Sequence, residues 1–69
     1  MRKISLEEAS MLSVLAKSVV LKLDNSKLIA RLRITSSWDI AEQIILGVET
    51  GIAGSYLDWA RQEIKRNGN

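Results

Sequence analysis

Val19-Val20-Leu21-Lys22-Leu23-Asp24-Asn25-Ser26-Lys27-Leu28-Ile29-Ala30-Arg31-Leu32-Arg33-Ile34 is the stretch on which the fold class turns. Leu28, Ala30, Leu32 and Ile34 alternate with Ile29, Arg31 and Arg33, as on a half-buried strand. Val19, Leu21 and Leu23 would then pair with them across Asp24-Asn25-Ser26-Lys27, giving an α+β domain with a β-hairpin at about 19–34. The same residues also fit helices, with Leu28, Ile29 and Leu32 on one face of a short one. Ala, Arg, Leu and Lys favour helix, and the turn lacks the Gly that a tight hairpin prefers. The helical reading is preferred, with Asp24-Asn25-Ser26 as the break between two helices.

Upstream, Ser5-Leu6-Glu7-Glu8 fits a capping box, in which Ser5 accepts from the amide of Glu8 and the Glu8 side chain reaches back to the amide of Ser5. Leu12, Leu15, Ala16, Val19, Val20 and Leu23 then recur at three- and four-residue steps, which predicts a helix from about Leu6 to Leu23. Met11, Val14 and Leu21 fall outside that stripe, leaving only Ser10, Ser13 and Lys17 as a narrow polar strip. A helix apolar on most sides needs neighbours on most sides.

Downstream, Thr35-Ser36-Ser37 offers N-caps for a third helix. Trp38, Ala41, Ile44, Ile45, Val48 and Ile52 share one face of it, and Gly51 and Gly54 end it or link it to the next. Ser55 is expected to cap a fourth helix with Ala53, Leu57, Ala60 and Ile64 inward. Arg61, Lys65 and Arg66 suit the negative end of its dipole. Residues 67–69 read as a frayed tail. The expected fold is thus all-α, a three- to four-helix domain over residues 1–69.

With 69 residues the chain holds one domain, and a domain this small buries too little surface to be very stable alone. Disulfides, a structural metal or self-association are the usual supports. The chain has no Cys and no His. This removes thiolate–zinc sites, triads built on His, and the commonest general base near neutral pH. The carboxylates are scattered without metal-ligand spacing, and Gly47, Gly51 and Gly54 form no phosphate-cradling pattern. The expectation is a protein that is not an enzyme, with no cofactor, no metal and no small-molecule substrate. Met1-Arg2-Lys3 begins like a signal peptide, but Glu7 and Glu8 stand where its apolar core should be. Lys17 and Lys22 interrupt the most apolar stretch, so no membrane span is expected, and the chain reads as cytoplasmic.

Charge is uneven. Over residues 17–33, five bases oppose Asp24 for a balance of +4, whereas residues 34–60 hold four acids and no base, a balance of −4. Such segments can mark a nucleic-acid footprint, join two subunits or simply face solvent. Ile40-Ala41-Glu42-Gln43 with Leu46-Gly47-Val48-Glu49-Thr50-Gly51-Ile52-Ala53-Gly54-Ser55-Tyr56-Leu57 is faintly similar to helix-turn-helix regulators, which place a small residue in the first helix and a Gly at the turn. The Ala41-to-Gly47 interval is longer than the motif's, and the would-be recognition helix offers Thr50, Ser55 and Asp58 before its first base, Arg61. The resemblance implies a DNA-binding transcriptional regulator. A DNA-binding chain would use the third and fourth helices or the basic 17–33 segment, and the candidate nucleic-acid contacts read from the charge distribution are Lys22, Lys27, Arg31, Arg33, Arg61, Lys65 and Arg66.

The favoured expectation is a non-catalytic interaction protein that forms a homodimer and binds another protein as a regulator, inhibitor or assembly factor. Its candidate contacts are Met11, Val14 and Leu21, the surplus on the first helix, with Trp38, Tyr56 and Trp59, the only aromatic residues. Large amphipathic rings at the edge of a helix face are typical interface anchors, but they also serve to close a domain's own core, which is the commoner fate of Trp and Tyr.

Overall fold

The local signals resolve into four helices in the computed structural model, which describes residues 3–67: α1 (Leu6–Leu21), α2 (Ser26–Leu32), α3 (Trp38–Ile45) and α4 (Gly51–Asn67). The chain is all-α. Residues 26–32 are helical, and no strand occurs among the described residues, so the hairpin alternative at about 19–34 is overturned. Asp24 supplies the local reason. Its carboxylate accepts from the amide of Ser26 at 3.1 Å and from the Ser26 hydroxyl, and these bonds hold its pKa below the usual carboxylate value. They fold the start of α2 where a hairpin would have continued.

The Glu8 amide donates to Ser5 Oγ at 3.1 Å, the expected first half of the capping box. The other half is replaced. The Glu8 carboxylate accepts instead from Ser36 Oγ at 3.3 Å and from Ser37 Oγ, tying the first turn of α1 to the α2–α3 loop. Ser37 is fully buried, so the carboxylate satisfies a hydroxyl that would otherwise lack water.

α1 ends two residues earlier than its spacing suggests, because Lys22 adopts a left-handed conformation with φ 59°. Leu23 N–H donates to Ser18 O at 2.9 Å and Lys22 N–H to Val19 O at 3.2 Å. This is a Schellman closure with Lys where Gly is usual. It carries Leu23 off the helix and into solvent. Asn25 Nδ2 donates at 3.0 Å to the buried Ser18 Oγ and so fastens the start of α2 to the end of α1.

α3 stops at Ile45, well before Gly51. Gly47 takes φ 75°, its amide donates to Ile44 O at 3.0 Å, and Val48 N–H donates to Gln43 O at 2.9 Å, a second Schellman closure. α4 then begins at Gly51, with φ 55°, rather than at Ser55. The Ser55 hydroxyl does not cap. It donates back to Gly51 O at 3.2 Å. Gly54 lies against the backbone of Glu49: a Cβ added there would come within 2.7 Å of the Glu49 carbonyl carbon. Asn67 is the last residue of α4, not part of a tail, and residues 68–69 of the expected tail lie outside the described residues.

α1 is the central element and touches the other three helices, whereas α2 and α4 do not meet. Met11, Leu12, Leu15 and Ala16 pack with Leu32, with Ile40, Ala41 and Ile44, and with Ala53, Leu57 and Ala60 in one core. On α3 the buried face is Ser37, Ile40, Ala41 and Ile44, so Ile40 replaces Ile45 and Ile52, which stay exposed. A Cα radius of gyration of 11.3 Å matches the ~11 Å of a single folded domain of this length.

Candidate interaction surface

The surface candidates on α1 divide. Met11 is buried in the core, because α2 and α3 cover the side of α1 that helical spacing alone left open. It is therefore removed from the exposed contact set. Val14 and Leu21, one heptad apart, stay 58% and 42% exposed. They stand on an outward strip with Ser10 and Lys17, which are also exposed, while Ser13 is half-buried at its edge. Monomer packing thus accounts for one of the three surplus side chains and leaves two facing solvent.

On one side of this strip lies α4. Ser13 borders a groove with Ile52, Ser55, Tyr56 and Trp59, and Lys17 and Leu21 border a second one with Glu63, Ile64 and Asn67. The residues advance together along both helices, so α1 and α4 run in the same direction along their seam. Tyr56 packs half-buried on the core, while Trp59 is 44% exposed and Ile52 also faces solvent. Their position follows from α4 periodicity. Ala53, Leu57 and Ala60 turn inward, which places Ile52, Tyr56 and Trp59 together on the flank facing α1. The small Ala residues let α4 approach α1 closely and leave the larger rings at the margin. Leu21, Ile52 and Trp59 form the exposed apolar part of this seam, and Ser13 and Ser55 are its polar rim, whereas Val14 borders the groove between α1 and the start of α2 with Ser18, Asn25 and Leu28.

The third aromatic lies elsewhere. Trp38 is half-buried at the start of α3, with the Arg33 guanidinium 5.2 Å from its ring centroid. That geometry is a cation–π contact. Trp38 is not part of the α1–α4 seam.

The basic candidates occupy two separate places. Lys22, Lys27, Arg31 and Arg33 gather at the end of α1 and along α2, all exposed. Arg61, Lys65 and Arg66 lie on the second half of α4, where Arg61 is ion-paired to Glu49 of the α3–α4 turn. The first half of α4, which would have to enter a DNA groove, exposes Ile52, Ser55, Asp58 and Trp59. The elements resembling a helix-turn-helix are present as α3 and α4, but no basic residue precedes Arg61 on α4.

Spacing marks Glu8 and Ser37 only as capping residues, with no sign of the bond between them, and gives no sign that Ile34 and Leu46 stand exposed. Among the described residues there is no group of three or more Asp and Glu that could hold a metal ion, and no helix is long and apolar enough to cross a membrane. No protein-family model matches the chain, and no curated protein and no solved structure matches it either.

Proposed function

We propose that this chain is a non-catalytic interaction protein that self-associates and uses the α1–α4 seam to hold another protein. A regulator, inhibitor or assembly factor would have this form. The observation that carries the reading is the position of Leu21, Ile52 and Trp59, all exposed, along the α1–α4 seam. Exposed apolar side chains scattered singly are ordinary, whereas a row of them with an aromatic anchor and a polar rim has the composition of a binding patch. The seam is an open groove between two helices, the shape that receives the apolar face of an amphipathic helix. A sequence without His or Cys supports a binding role over catalysis.

The test compares two tagged chains expressed in the native host, the wild type and a Leu21→Ser/Trp59→Ser variant. The wild type is expected to retain one protein in near-stoichiometric amount, and the variant, with unchanged helicity, to release it. Retention of the same protein by both chains would place the contact elsewhere, and capture of none by the wild type would remove the reading.

A further inference from the structure

Two faces of opposite charge adjoin on the side of the molecule formed by α2 and α3. On α2, Lys27 and Arg31 are four residues apart and share one exposed face, with Arg33 at the helix end. Neither Lys27 nor Arg31 has an ion-pair partner among the described residues. Beside them an apolar groove runs along Ser26, Ile29, Ala30, Arg33 and Ile34, and Ile34 is 89% exposed. On α3, Asp39 and Glu42 face solvent together with Ile45 and Leu46, the last 73% exposed. The contact of Arg33 with the Trp38 ring marks where the two faces border. Each face therefore carries charge of one sign around a bare aliphatic side chain, and the two signs differ.

We propose that this face joins two copies of the chain about a two-fold axis. A two-fold contact uses the same patch on both subunits, so α2 of each copy meets α3 of the other. Lys27 and Arg31 then lie against Glu42 of the second copy, twice over, and Ile34 and Leu46 close the centre. A nucleic acid fits worse. A polyanion attracted to α2 meets the acidic face of α3 directly beside it, and the resulting repulsion opposes binding. A second copy presents the matching mosaic of both signs. The inference rests on the self-association in the proposed function and names the surface that carries it. That surface is separate from the α1–α4 seam, so the two readings fail independently.

Charge exchange tests it. The molar mass of the full chain is followed by sedimentation equilibrium over a micromolar concentration series at low and high salt. The wild type is expected to dimerise, more weakly at high salt. Lys27→Glu/Arg31→Glu and Glu42→Lys are each expected to weaken the dimer by roughly tenfold or more, with helicity unchanged. An equimolar mixture of the two variants is expected to recover a heterodimer, because every contact then pairs opposite signs again. The Leu21→Ser/Trp59→Ser chain is expected to dimerise like the wild type. A wild type that stays monomeric throughout overturns the proposal, as does a dimer indifferent to the charge variants or lost only in the seam variant. Salt-dependent binding of mixed-sequence DNA by a monomeric wild type, abolished by Lys27→Glu/Arg31→Glu, overturns it in favour of a polyanion.

Discussion

The inner and outer faces of α1 are made of the same kinds of residue and have opposite fates. Leu12 and Leu15 are fully buried, while Val14 and Leu21, interleaved with them along the same helix, face solvent. The difference lies in what surrounds the helix. Three helices suffice to cover one side of α1, and they leave a strip between α2 and α4, which do not touch. Apolar residues on that strip add nothing to the core of one chain, and the binding role proposed above would give them one.

The strongest way to break this comparison is to truncate one residue from each face. Leu15→Ala is expected to cost about 2–5 kcal/mol, since a fully buried side chain leaves a cavity. A domain of 69 residues has only about 3–10 kcal/mol in total, so urea denaturation should show a protein at or near unfolding. Val14→Ala should stay within about 0.5 kcal/mol of the wild type. Equal losses at the two positions would erase the distinction between the faces.

Two changes of intermediate size probe how the covering helices are held. Glu8→Ala leaves the buried Ser37 hydroxyl without its acceptor and is expected to cost about 1–3 kcal/mol in the same measurement. Gly54→Ala tests the approach of α4. In an open helix this change stabilises by about 0.5–1 kcal/mol, but here the new methyl meets the Glu49 backbone. The expected sign is therefore reversed, with a loss of about 1–3 kcal/mol from overpacking. A thermal melt of this variant at or above the wild-type temperature would show that the turn yields.

A small gain, rather than a loss, is expected where both faces of α1 end. Lys22 holds a left-handed conformation that costs a side chain about 1 kcal/mol and costs glycine little. Lys22→Gly should stabilise the chain by about 0.5–1 kcal/mol, seen as a higher urea midpoint with unchanged slope.

Much of this architecture was legible in the residues. Ser5 as a cap and the spacing of Leu12, Leu15 and Ala16 defined α1, and Asp24-Asn25-Ser26 correctly separated two helices. The errors share a cause. Ile44, Ile45, Val48 and Ile52 continue a helical phase across Gly47, and that accidental continuity hid the break the glycine makes. The inner face of α3 was misplaced because its first member is a serine: Ser37 is buried with Ile40, Ala41 and Ile44 through its bond to Glu8, a partner 29 residues away. Met11 was counted as surplus because periodicity describes one helix and cannot say from how many sides others approach. The candidate surface was therefore half legible. Val14 and Leu21 are exposed as their spacing suggested, whereas spacing left Trp59 open between core and surface and assigned Ile52 to the inner face of the wrong helix.

The most direct measurement is hydroxyl-radical footprinting of Met11 and Trp59, read by mass spectrometry in the isolated chain at low concentration and in the complex recovered from cells. Met11 should react slowly in both, and Trp59 should react readily alone and be protected in the complex. A Trp59 indole oxidised as fast in the complex as in the free chain would contradict the assignment of the α1–α4 seam as the binding surface.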